Sequence, residues 1–247
     1  MRKNHIILFL LIMASTSAIS QDITEVLPDT IENGHFEMDY GGMHFSGDFA
    51  DFKRTGNWVT SFPNGQVHII ETFQAGLKQG IYLKINRRGS LIEQSEYLND
   101  SLNGKLLRYN TGGKLQLEEN YNHGKLDGVR RVYYERGSVQ EQSHFVNGER
   151  DGETKWFDHN GNFIAIYQYK NGLFEGWQRS YYSNGEVKSE QYYENNVAVG
   201  EMNKYYPNGN TQEKGIFKKG QKHGKWIEFS EDGSELKVTK FKNGVAK

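Results

Sequence analysis

The chain has no cysteine. That excludes a disulfide framework and the lipid-bearing cysteine of a bacterial lipoprotein, so a domain of this size must rest on packing and strand pairing alone. It has little excess charge of either sign: 30 Lys and Arg stand against 31 Asp and Glu, with no basic block. A nucleic-acid partner calls for a basic surplus or stripe, so none is expected. It has three prolines. It also lacks a hydrophobic run of spanning length. The one unbroken apolar stretch, Ile6 to Met13, is far shorter than the ~20 residues a membrane helix needs. Nor does it contain Gly-x-Ser-x-Gly, His-Glu-x-x-His or a Gly-Lys-Ser/Thr phosphate loop.

The short apolar run is informative by its setting. Arg2 and Lys3 precede it, and small and polar residues lead to Ala18-Ile19-Ser20. This is the layout of a signal peptide over residues 1–20, which places the protein in the periplasm or cell exterior and not within a membrane. Losing Arg2 and Lys3 with the leader brings the net charge from −1 to −3. Residues 21–33 read as a short lead-in.

What is abundant is glycine, 28 residues, with 15 Tyr and 14 Phe. Steps of 24 residues from Gly56 land on Gly80, Gly104, Gly128, Gly152, Gly176, Gly200 and Gly224. With these as offset 0, offset 9 carries Gly65, Gly89, Gly113, Gly137, Gly161, Gly185, Gly209 and Gly233. Offset 17 carries Phe73, Tyr97, Tyr121, Phe145, Tyr169, Tyr193, Phe217 and Phe241. Offset 20 is Gly in six copies and Asp100 or Asn196 in the others, residues that tolerate a left-handed backbone. Eight copies are thus expected: 56–79, 80–103, 104–127, 128–151, 152–175, 176–199, 200–223 and 224–247. A degenerate cap copy precedes them over 34–55, with Gly41 and Phe49 in register and the leading glycine missing.

Two glycine turns per copy leave two strands of seven to nine residues and no room for a helix. Asn-Gly at Asn64-Gly65, Asn160-Gly161 or Asn171-Gly172 points to tight hairpin turns in which both turn residues take positive φ. The predicted fold is therefore all-β, an elongated, twisted antiparallel meander of hairpins that bury their apolar faces against one another. If the first turn sits at offsets 8 and 9, offsets summing to 17 face each other, and each offset-17 ring covers an offset-0 glycine. By the same parity, offset 11 (Val67, Leu91, Leu115, Val139, Phe163, Val187, Thr211, Glu235) shares the face of offset 17. The opposite face carries offset 5. There Ser61 and Ile85 are followed by Tyr109, Tyr133, Phe157, Tyr181, Tyr205 and Phe229, which form the candidate partner-binding stripe. Histidines within the copies occupy different offsets and build no metal column, and the residue before the second glycine varies too much for a calcium repeat. No metal, cofactor or catalytic group is expected.

The unit G-x-x-x-x-[YF]-x-x-N-G-x-L/V-x(5)-[YF]-x-N-G-x-x-x-G resembles the MORN repeat variant. "GWQRSYYSNGEVKSEQYYENN" from Gly176 and "GVRRVYYERGSVQEQSHFVNGERD" from Gly128 carry the resemblance. It extends over 56–247. It implies an elongated antiparallel sheet and a role in binding. Many bacterial members are described as antitoxin-like components of toxin–antitoxin modules, and related repeats are linked to scaffolding and membrane-lipid contact. An exported chain suits an immunity-like or envelope-associated role with a protein partner. Attachment to lipid or cell-wall glycan is the second class.

Overall fold

In a computed structural model of the chain, Leu27 and residues 30–247 are described. The expected leader and most of the lead-in lie outside these residues. Among them there is no helix. Twenty-one strands, β1 to β21 in chain order, form one sheet in which neighbours pair antiparallel. It opens with β1 (Gly34–Tyr40), β2 (Met43–Ala50), β3 (Lys53–Ser61) and β4 (Val67–Gln74), and closes with β19 (Gln221–Phe229), β20 (Glu235–Lys242) and β21 (Val245–Ala246). All eight offset-17 rings sit opposite offset-0 glycines, from Gly56↔Phe73 to Gly224↔Phe241.

The two turns of each copy differ. At the second turn both residues have positive φ, as in Asn147 (52°) and Gly148 (92°), which is the two-residue turn expected. At the first turn only the glycine does, for example Gly65 at 84°. Three residues are looped out: the Gly65 amide donates to the Phe62 carbonyl at 2.8 Å, and the Phe62 amide to the Gln66 carbonyl at 2.8 Å. This is a type I turn followed by a left-handed glycine, so the residue before that glycine needs no special backbone. Arg88 and Arg136 fit there for that reason.

The longer loop corrects the face assignment. Offsets 0 to 4 pair as predicted, up to Thr60↔Ile69, but Ser61 then pairs with Val67, leaving His68 as a bulge. The same shift recurs in all eight 24-residue copies, giving Tyr133↔Val139, Phe157↔Phe163 and Tyr205↔Thr211. One extra residue inverts the alternation beyond it. Offset 11 therefore lies with offset 5, not with offset 17. We call that side the ladder face, and the side carrying offsets 2, 15, 17 and 22 the core face.

A second irregularity explains the leading glycines. Between copies, Phe73↔Lys78 is followed by Glu71↔Tyr82, so the entering strand carries two extra residues around Gly80. Gly80 has φ 97°, a conformation that L side chains rarely adopt. The cap hairpin is a shorter version of the same design. Gly34, at φ 121°, sits opposite Phe49 and supplies the missing glycine. A two-residue Gly41-Gly42 turn accounts for the shorter copy.

The core face packs ring on ring at both ends. Phe45, Phe49, Trp58 and Phe73 form one buried cluster, with Leu27, Ile31, Phe36, Met38 and Met43 against it. Trp58 lies flat over Gly47, and Trp226 over Gly215, where a Cβ would run into the indole. Both indoles donate from Nε1 to a carbonyl of the preceding strand, Asp48 at 3.1 Å and Ile216 at 3.3 Å. Offset-22 side chains roof the rings: Arg54 lies 3.9 Å from the Phe73 centroid and Lys222 3.7 Å from that of Trp226.

Candidate binding surfaces

The ladder face carries all six residues of the sequence-derived stripe, each half-buried. The bulge changes what lies between them. From Tyr109 onward each offset-11 residue is the register partner of the offset-5 ring of its own copy. Phe163 also reaches the ring of the next: it stands 5.1 Å from Phe157 and 6.0 Å from Tyr181, centroid to centroid. The stripe thus interleaves offsets 5 and 11 and is not a column of separated rings. Phe163 is 41% exposed.

The tyrosines of the stripe fall into two sets. Tyr133 donates to Glu118 Oε2 at 3.1 Å, and Tyr205 to Glu190 Oε1 at 2.9 Å, in each case a carboxylate of the preceding copy. Burial, reinforced by the adjacent carboxylate, raises the Tyr133 phenol and pushes Tyr205 up to about 12. Burial also opposes ionisation of Glu118, but hydrogen bonds from Tyr133, Arg131 and Lys105 outweigh it and hold that carboxyl below its usual range. These two tyrosines are therefore engaged within the sheet. Tyr109 and Tyr181 have no hydroxyl partner among the described residues and keep their polar tips available.

Sequence reasoning passed over the neighbouring offset 6. The Tyr134, Tyr182 and Tyr206 hydroxyls donate to the Phe157, Tyr205 and Phe229 carbonyls at 2.7–2.8 Å, each in the following copy. Asn184 and Asn208 likewise reach the Pro207 and Glu231 carbonyls at 2.8 and 3.2 Å. The doubled Tyr-Tyr was the available signal: alternation puts only one of the pair on the ladder face, and the other bolts successive hairpins along the turn edge. At the opposite edge, Asp127 and Asp151 accept from the Asn147 and Asn171 amides of the two-residue turns. The offset-9 glycines shape the first turns and contact no candidate site.

The middle of the core face is polar. Arg130 Nε donates to Glu119 at 2.9 Å and its Nη1 to Glu141 at 3.1 Å. Arg150 and Ser143 also reach Glu141 Oε1, at 3.0 and 3.1 Å. Tyr121 donates to Glu119 at 2.9 Å, and burial, with that carboxylate beside it, pushes its phenol up to about 12. The charges balance and the carboxylates are spent on partners, so this cluster is a structural joint. Ser95 and Thr154, both 0% exposed, have hydroxyls without a hydrogen-bond partner. The histidines act singly: His68 stacks on Phe62 at 4.4 Å and His159 on Tyr134 at 3.9 Å.

The family model of the MORN repeat variant matches five segments of the chain, residues 102–123, 126–147, 150–171, 174–195 and 198–219. Each begins at offset 22, on the strand leaving the two-residue turn, and ends at offset 19. Over these segments the chain is similar to that repeat, and their even spacing restates the 24-residue period. No curated protein matches the chain.

Proposed function

We propose that the protein is an exported, non-catalytic scaffold that holds a protein partner along the ladder face. One observation carries this reading. The interleaved rings and aliphatic side chains at offsets 5 and 11 make a long apolar strip, and the Tyr109 and Tyr181 hydroxyls beside it are unspent. Such a strip suits a partner that lays apolar side chains along it and offers hydrogen-bonding groups to the tyrosine tips. The likeness to the MORN repeat variant supports binding as the mode of action. With the leader-like residues 1–20, we assign an immunity-like or envelope-associated role.

The test is cross-linking capture from envelope extract, comparing the wild-type chain with Phe163→Ala/Tyr181→Ala and monitoring the fold by circular dichroism. One dominant protein captured by wild type and lost by the folded double variant supports the proposal. Equal capture by both moves the site off the stripe. Recovery of lipid or wall glycan without protein replaces a protein scaffold with a surface-attachment module. Amino-terminal sequencing of the exported product, beginning after Ser20, tests the export step separately.

A further inference from the structure

The ladder face changes its chemistry along the sheet. In the middle, cations on it are matched. Lys105 and Arg131 meet Glu118 at 3.3 and 3.2 Å, Lys155 meets Glu153 at 2.9 Å, and Arg179 meets Glu190 at 3.1 Å. At the carboxyl end they are not. There β18 (Thr211–Lys218), β19 and β20 turn Lys214, Lys218, Lys225, Lys240 and Lys242 to this face. The residues beside them in the chain, Gly215, Phe217, Trp226 and Phe241, belong to the core face. All five lysines are exposed, and none has a carboxylate partner among the described residues. The carboxylates nearby on this face are Glu201, the register partner of Ile216, and Glu235, that of Phe229.

Strand alternation gathers the patch. No two of the five lysines adjoin in the sequence, but every second residue of a strand shares a face. Register sets Lys225 opposite Lys240 and lines up Lys214, Ile227 and Val238 across three strands. Like charges directly opposite destabilise a sheet, so the pairing serves something other than the fold. Lysines blunt the edge strands of sheets. That accounts for β20 alone, since β18 and β19 are paired on both sides. Among the lysines stand Ile216 and Val238, each 47% exposed. The amino end of the same face is the reverse. There β1 and β2 carry Glu37, Asp39 and Asp48, and residues 30–51 hold no Lys or Arg. His35 lies 2.9 Å from Asp48 and His44 3.0 Å from Asp39.

We infer that the protein partner lays an acidic segment, with apolar side chains among its carboxylates, over this lysine patch. The inference rests on the reading of the ladder as the partner-binding strip. Phe229 carries that strip into the patch, with Lys214 5.2 Å from its ring centroid. Carboxylates answer the five ammonium groups. Apolar side chains cover Ile216 and Val238, which a chain of phosphates would leave in water. At the other end, the carboxylates of β1 and β2 repel the same segment. Ends of opposite sign steer the partner and fix the direction in which it lies.

Fluorescence anisotropy of a short labelled peptide of glutamates interspersed with leucines, titrated with the full chain, tests this. The wild type should bind it at low salt, and added salt should weaken binding. Lys214→Gln/Lys225→Gln/Lys240→Gln, its fold checked by circular dichroism, should bind about tenfold more weakly. Lys53→Gln/Lys114→Gln/Lys125→Gln, which alters exposed lysines outside the patch, should bind as the wild type does. No binding at low salt overturns the inference, as does a patch variant no weaker than this control. Tighter binding of polyphosphate or of phosphatidylglycerol vesicles than of the peptide also overturns it and makes the patch a phosphate surface. Phe163→Ala/Tyr181→Ala should keep the peptide, because those rings lie outside the patch. Failure of the ladder reading is thus seen in protein capture, and failure of the inference in peptide affinity.

Discussion

The ends and the middle of this sheet solve the same packing problem with different chemistry. At each end a tryptophan at offset 2 lies on a glycine of the preceding strand and donates to its backbone; Trp58 is 4% exposed and Trp226 3%. In the middle, offset 2 is Arg130, Thr154 or Gln178. Gln178 keeps the hydrogen bond of the tryptophan, donating to the Gln168 carbonyl at 2.9 Å, without its apolar surface. Arg130 replaces packing with ion pairs. An interior copy has neighbours on both sides to exclude water and can bury polar groups that satisfy one another. The copy of Trp226 is the last, and that of Trp58 has only the short cap hairpin before it, so each relies on the larger apolar area of an indole.

Four measurements would break or sharpen that comparison. The largest effect is expected from Trp58→Ala or Trp226→Ala. Each should cost about 3–5 kcal/mol and fray the adjacent end first, seen as lost amide protection there while the centre stays protected. Next, Glu141→Ala strands Arg150 on the core face and leaves Arg130 with Glu119 alone, and should cost about 3 kcal/mol in urea unfolding. Replacing Glu119, Arg130, Glu141 and Arg150 together by Leu, Met, Leu and Met should recover most of that loss, because removing a whole network leaves no uncompensated charge. If the fourfold replacement is no better than the single one, the middle depends on its charges as such. Third, Thr154→Val removes a buried hydroxyl without a partner at nearly constant volume, so it should raise stability by about 1 kcal/mol. The smallest effect is acid titration. Glu118 and Glu213 have folded-state carboxyls held below the usual range, as hydrogen bonds outweigh burial, from Tyr133, Arg131 and Lys105 to the first and from Lys204 and Lys222 to the second. Their contribution is therefore present above the unfolded carboxylate pKa and is lost as pH falls through the lowered folded value. Melting midpoints should fall on the acid side of that range, and less steeply in Glu118→Gln/Glu213→Gln.

Much of this was legible because glycine and turn residues report backbone conformation directly. The 24-residue step placed Gly80 and Gly104 where φ is positive, and it placed Tyr97 and Tyr121 opposite them. The first turn is one residue longer than the Asn-Gly spacing predicts. Arg88 and Arg136 before the second glycine argued against a turn in which both residues are left-handed, since neither adopts that conformation readily. That single residue carried Phe163 and its column to the ladder face. It also turned the stripe from six spaced rings into an interleaved strip. The doubled tyrosines were visible, but their division between ladder and turn edge depends on which carbonyl of the next copy lies within reach.

Local chemistry written in the chain determined the all-β character, the period, the glycine turns and the ring-over-glycine pairs, because each is settled within a single hairpin. Tertiary structure alone decided which face a column joins and which tyrosine hydroxyls are spent. Those outcomes depend on a bulge and on the neighbouring copy. A shift of one residue in register inverts every side chain beyond it and leaves the hydrophobic pattern of the sequence unchanged.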